Sequence, residues 1–233
     1  MMERNNNLYC YQRYSNPLVR EIRLMYGNNP NGSGDYCEIA FCDGTTIVHK
    51  IDIDTVYTRQ YGVPLSADGT MMYVCDWFKG LTAYDTRSGN EMWRIKRPHI
   101  RMTQIFSDYG VTTQYGKGLI QFDLKTGEIR NTIENRQVEN MYYLKGELVL
   151  VDKFKGSVCV VDCRTMSALK LVPPSVLNPH ECLSLVLHNA YVKENNVIIV
   201  GCEQYSRTNS KYKKEQQFER VVLKLDRTEN ASL

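Results

Sequence analysis

The chain has 233 residues, 42% hydrophobic and 24% charged, with a formal net charge of +3. That composition is ordinary for a globular protein with room for a substantial core, and the small charge excess gives no strong nucleic-acid signal. No apolar run approaches membrane-spanning length, the opening MMERNNNLYC does not read as a secretory signal, and none of the eight cysteines forms a zinc-type C-x-x-C pair.

Leu8–Tyr14 is the first strand candidate, followed by Ile22–Tyr26. Thr46–Asp52 (TIVHKID) then opens a series of apolar strands that end in Asp before a turn. The others are Gly80–Asp85 (GLTAYD), Gly118–Asp123 (GLIQFD), Gly156–Asp162 (GSVCVVD) and Val221–Asp226 (VVLKLD). Successive Asp residues are 33, 38, 39 and 64 apart. Strand-like units recurring at about 40 residues predict an all-β fold, a β-propeller with one small antiparallel sheet per repeat.

Each Asp unit has a strand and a tight turn before it. Met71–Asp76 turns through Trp77-Phe78-Lys79-Gly80, Tyr109–Gln114 through Tyr115-Gly116-Lys117-Gly118, and Glu147–Val151 through Asp152-Lys153-Phe154-Lys155-Gly156. After the Asp comes a second turn, clearest in DTRSG (85–89) and DLKTG (123–127). There the carboxylate accepts backbone N–H groups and Gly takes the left-handed position. Further strands follow at Glu91–Lys96, Glu128–Ile133 and Ala168–Val172, with inner strands expected at Thr103–Phe106, Met141–Leu144 and Leu183–Leu187. Runs such as Val158–Val161 are apolar throughout, as in a sheet covered on both faces. Two insertions stretch the last interval: Pro173–Cys182, and Glu203–Arg220 as a long polar hairpin loop. The pattern predicts five blades in a single domain, residues 1–233. Leu8–Tyr14 is expected to complete the last blade beside Val221–Asp226, sealing a sheet edge that would otherwise be exposed.

The segment Gly80–Ile95, GLTAYDTRSGNEMWRI, resembles the repeat of quinoprotein-like (PQQ-like) propellers, which runs Gly, apolar strand, Asp, Thr-Gly turn, then a strand bearing Trp. Gly118–Ile133 is similar, with Asn131 where the Trp stands, and Val63–Val74 (VPLSADGTMMYV) resembles the strand-opening phrase of YVTN and WD-repeat-like propellers. The resemblance spans about residues 35 to 226 and implies a fold without a chemistry. Trp93 is the only repeat Trp, and Met166 replaces the turn Gly in the fourth unit. No calcium or quinone pocket is identifiable, so dehydrogenase activity and cofactor do not carry over.

The repeated Asp residues 52, 85, 123, 162 and 226 read as turn acceptors. Glycosidase chemistry would need two converging carboxylates, for which Asp76, Asp108 and Asp152 near strand ends are the candidates. His49, His99, His180 and His188 lack metal-ligand spacing, so no metal site is expected. No catalytic residue is identifiable. The cysteines inside strands read as small buried hydrophobes, and reduced thiols in a cytoplasm are expected.

Two basic segments remain, Arg94–Arg101 (RIKRPHIR) and the 203–220 insertion. In the insertion, Tyr205, Arg207, Lys211, Tyr212, Lys213 and Lys214 combine positive charge with aromatic rings and form the candidate partner-binding site. Two readings follow. One is a non-enzymatic interaction module that binds another protein through such loops, with an anionic ligand or a membrane surface as further options. The other is a small hydrolase or lyase acting on a carbohydrate or lactone at a channel mouth. The first is favoured, since fold alone supplies no chemistry.

Overall fold

The computed structural model describes residues 8–25, 35–51, 62–134, 138, 140–144, 147–152, 157–208 and 211–224. Two compact units divide the chain, Met1–Asn135 and Arg136–Leu233. Apart from a four-residue helix, α1 (Pro174–Leu177), the regular structure among the described residues is antiparallel β.

The first unit holds three meanders. β1 (Leu8–Arg13), β2 (Val19–Met25), β3 (Asp35–Phe41) and β4 (Thr46–Ile51) form one sheet in chain order. β5 (Met71–Asp76), β6 (Gly80–Asp85) and β7 (Glu91–Ile95) form the second; β8 (Ile100–Ile105), β9 (Tyr109–Gln114), β10 (Gly118–Asp123) and β11 (Ile129–Glu134) form the third. The second unit has β12 (Asn140–Leu144), β13 (Glu147–Asp152), β14 (Ser157–Asp162) and β15 (Ala168–Val172) in one sheet. Its other sheet is β16 (Ser184–Lys193), β17 (Asn196–Thr208) and β18 (Lys211–Lys224).

Val158–Val161, the plainest of the apolar runs, is buried throughout, and within the first unit β5 is covered on both faces. Along β5, Met72 and Val74 join the core shared with Ile22, Ile39 and Phe41 of the first sheet. Tyr73 and Cys75 join the opposite core, with Ile100, Ile120 and Phe122 of the third. The alternation that buries one face of an ordinary strand here fills two cores. In the second unit Val158 and Val160 pack with Val197, Ile199 and Val222.

The turn chemistry repeats as the sequence predicts. Asp85 Oδ1 accepts the N–H groups of Arg87 (3.1 Å) and Ser88 (2.7 Å), Asp123 Oδ1 those of Lys125 (2.8 Å) and Thr126 (2.9 Å), and Asp162 Oδ1 those of Arg164 (2.9 Å) and Thr165 (2.8 Å). Gly89 and Gly127 follow at φ of 70° and 71°. The register also slips at equivalent places, after Ala83, Gln121 and Val160, two residues before each Asp. A bulge there sharpens the local twist as the outer strand begins.

Three expectations are corrected. Leu8–Arg13 does not complete the last sheet; it pairs with β2 from Leu8↔Met25 to Arg13↔Glu21. Asn16 Oδ1 makes the short connection by accepting the N–H groups of Leu18 (2.9 Å) and Val19 (2.7 Å), so a local hairpin displaces the long-range closure. Thr46–Ile51 is the outer strand of its sheet, whereas β6, β10 and β14 are each followed by one. The Asp-Gly turn at Asp43-Gly44, with Gly44 at φ 88°, ends β3 and sets that phase. Glu203–Arg220 is paired strand and not loop. Asp52 and Asp226 lie outside the described residues.

Candidate functional site

The basic insertion is a two-stranded arm. β17 and β18 stay paired from Asn196↔Lys224 out to Thr208↔Lys211, while β16 begins opposite Gln204, so beyond Gln204 the arm is two strands wide. Register irregularities on both sides of Ser206 bend it. Lys214 Nζ lies 5.3 Å from the Tyr205 ring centroid, a cation–π contact that brings two of the predicted binding residues together. Arg207 pairs with Tyr212 and Thr208 with Lys211, and Lys213 is in β18. The side chains of Arg207, Lys211, Tyr212 and Lys213 lie outside the described residues.

The base of the arm holds a cluster that sequence reasoning missed. Glu203, 1% exposed, accepts from Arg220 Nη2 at 2.7 Å, faces His180 Nδ1 at 3.0 Å, and accepts from the Tyr205 hydroxyl at 2.5 Å. Arg220 also donates to the Leu177 carbonyl at the end of α1, and its guanidinium lies over Phe218, 4.6 Å from the ring centroid. Burial pushes the Glu203 carboxyl up, but bonds from Tyr205, Arg220 and His180 together outweigh it and hold the group at about 2. The bond to Glu203 in turn lifts the Tyr205 phenol to about 12. A carboxylate this stabilised is a weak base and serves here as an anchor. In the strand register Glu203 lies opposite Gln216 and Arg220 opposite Ile199, so the pair is made by the reach of the Arg220 side chain along the sheet and is not legible in the sequence.

The other candidates are dispersed. Asp76 Oδ1 accepts the N–H groups of Phe78 (2.8 Å) and Lys79 (2.7 Å) at the turn between β5 and β6. Asp108 precedes β9 at the Asp123 end of its sheet, where Arg130 reaches Asp108 Oδ2 at 3.2 Å and Asp123 Oδ2 at 2.5 Å. Asp76 and Asp108 thus mark opposite ends of their sheets and form no carboxylate pair. The Asp152 side chain lies outside the described residues. His49 is buried with Nε2 3.0 Å from the Thr86 carbonyl, His99 packs on Trp77, and His188 is exposed on β16. Among the described residues no group of three or more His, Cys, Asp or Glu side chains is placed to hold a metal. Cys37, Cys42, Cys75, Cys159, Cys163, Cys182 and Cys202 are not bridged to one another, all but Cys42 are buried, and burial pushes the Cys75 thiol up to about 12.

No protein-family model matches the chain. No curated protein matches it either. Among solved structures, the crystal structure of BamB from Moraxella catarrhalis is similar, with a TM-score of 0.52 and 12% identity over 82% of this chain. The chain covers 57% of that protein's length. At this identity the likeness shows the fold alone: the chain has a β-propeller fold that resembles, at fold level, that of PQQ-like propellers.

Proposed function

We propose that the protein is a non-enzymatic binding module that captures another protein through the β17–β18 arm, with Tyr205, Arg207, Lys211, Tyr212, Lys213 and Lys214 at the contact. This reading takes residues 1–233 as one propeller domain, working without a cofactor in a reducing cytoplasm. The observation that carries it is the anchoring of the arm. A solvated polar hairpin needs no buried ion pair at its root, and burying Glu203 against Arg220 costs desolvation that a hydrophobic pair would avoid. Such an anchor holds the arm in one orientation and lowers the ordering cost of binding. The excess of Lys and Arg along the arm suits an acidic surface on the partner.

The test is affinity capture from the native host, comparing the full chain with a variant in which residues 206–213 are replaced by an Asn-Gly turn. That replacement keeps Glu203, Tyr205 and Arg220 and joins strands that are already paired. The expected result is loss of the captured partner with an unchanged melting temperature. Capture that survives the replacement would remove the arm as the site.

A further inference from the structure

In the first unit, three connections from the basic and aromatic segments of the sequence meet at one end of the β5–β6 and β9–β10 hairpins. The β5–β6 turn brings Trp77, Phe78 and Lys79, the β7–β8 connection brings Arg97 and His99, and the β9–β10 turn brings Tyr115 and Lys117. His99 joins them. Its backbone is left-handed, φ 67°, with its N–H on the Trp77 carbonyl at 2.5 Å and its carbonyl accepting from the Tyr115 N–H at 2.9 Å. A non-glycine residue held in that region is strained and marks a place the surrounding structure specifies firmly.

The side chains continue the arrangement. The His99 and Trp77 ring centroids are 4.5 Å apart, those of Trp77 and Tyr115 5.7 Å, and the Arg101 guanidinium lies 5.1 Å from the Tyr115 centroid. Phe78, at the turn tip, is 74% exposed, and Tyr115 38%. The same β9–β10 turn forms one wall of a cleft of about 330 Å³ lined by Arg97, Gln114, Lys117, Thr132, Ile133 and Glu134. Gln114 Nε2 donates to the Pro98 carbonyl at 3.0 Å and ties that wall to the basic connection.

The geometry points to a docking site for an acidic peptide segment of a partner protein, one carboxylate entering the cleft between Arg97 and Lys117 and an apolar side chain resting on Phe78 and Tyr115. Charge selects this occupant. Lys79, Arg97, Arg101 and Lys117 outnumber Glu134 and Asp76. Trp, Tyr and Arg gathered on one rigid patch are the residue types that carry most binding energy in protein interfaces. The cleft is at the small end of ligand pockets and accommodates side chains of an extended segment more readily than a large cofactor. The site does not depend on the arm proposed above.

A fluorescein-labelled peptide of Glu and Asp residues with one Phe, titrated against the full chain by anisotropy, tests it. Saturable binding that weakens about tenfold in Phe78→Ala and in Lys117→Glu supports the site, and both positions are exposed, so unchanged melting curves show that the fold is intact. The variant lacking residues 206–213 should bind the peptide like the parent chain. The site is overturned if both substitutions leave binding unchanged, or if arm replacement abolishes it. It is also overturned if a Phe-free peptide binds equally well, or if inorganic phosphate or phosphatidylserine vesicles displace the peptide through the same residues.

Discussion

The His49 ring lies directly over Gly89. A Cβ at position 89 would fall 2.3 Å from His49 Nδ1, while Nε2 of the same ring sits 3.0 Å from the Thr86 carbonyl. One sheet further along, Trp93 repeats the contact. Its indole covers Gly127, where a Cβ would fall 2.5 Å from Cε3, and its N–H donates to the Leu124 carbonyl at 3.0 Å. Thr86 and Leu124 each follow the turn Asp, so His49 performs in the first sheet the docking that Trp93 performs in the second, and the contact assigns its N–H to Nε2. The aromatic residue on β4 and the one on β7 thereby each clamp the turn of the next sheet, and this explains why those two turns end in Gly.

Gly89→Ala and Gly127→Ala should therefore each cost about 2–4 kcal/mol, combining the left-handed backbone with displacement of a packed ring. Gly44→Ala is the control. Its φ is 88° but nothing lies within 4 Å of the added Cβ, so only the backbone cost of about 1–2 kcal/mol is expected. Urea unfolding of the three variants measures the difference; equal losses would show that the ring contacts contribute nothing.

Met166 occupies the position of Gly89 and Gly127 in the fourth sheet and is left-handed, φ 57°, yet only 7% exposed. Restoring Gly would relieve about 1 kcal/mol of backbone strain and remove about 2 kcal/mol of burial. Met166→Gly is thus expected to destabilise by about 1 kcal/mol, read as a lower urea midpoint at unchanged slope. A stabilised variant would mean that the thioether packs poorly.

The hairpins around β6, β10 and β14 are legible in the sequence because their signals are local: Gly, apolar strand, Asp and turn lie within one short segment. The place of β1 is not, since Leu8–Arg13 has an apolar pattern compatible with either sheet and the choice falls to the Asn16-Pro17 turn. The arm hides for a different reason. Its strands are polar on both faces once they leave the sheet, so no alternation marks residues 203–220 as paired. Glu203, His180 and Arg220 meet through side-chain reach between residues that are not register partners, which no local pattern records. The basic segment at Arg94–Arg101 stands out by composition, but its meeting with Trp77 and Tyr115 depends on the packing of two sheets.

Asp123 separates turn formation from surface pairing. Asp123→Ala removes the acceptor for two backbone N–H groups and should cost about 1–2 kcal/mol, while Arg130→Ala breaks only a solvent-exposed pair and should cost much less. The Arg130 guanidinium, with the Thr126 and Lys125 N–H groups, lowers the Asp123 carboxyl to about 2. A depressed folded-state pKa gives stability that is complete above the unfolded value of about 3.9 and is lost as pH falls toward 2. The acid limb of the stability profile should flatten in Asp123→Asn; an unchanged limb would remove Asp123 from the acid transition.

Glu203 makes the strongest demand. Removing the charge leaves Arg220, 18% exposed, and the Tyr205 hydroxyl without their anion, and breaking one side of a buried pair costs about 3–5 kcal/mol. Glu203→Gln is placed near 3 kcal/mol because its amide oxygen still accepts one bond. The Glu203 carboxyl is also depressed, so its contribution is present above the unfolded value of about 4.3 and is lost as pH falls toward 2. The double variant Glu203→Leu with Arg220→Met should recover most of the loss, since a well-packed apolar pair replaces a buried ion pair at little cost. The separating measurement is hydrogen exchange in β17 and β18 beyond Gln204. If the ion pair orients the arm, exchange there rises in Glu203→Gln and stays high in the apolar double variant although global stability returns. If arm protection returns with stability, the pair is structural filling and the orienting role assigned to it fails.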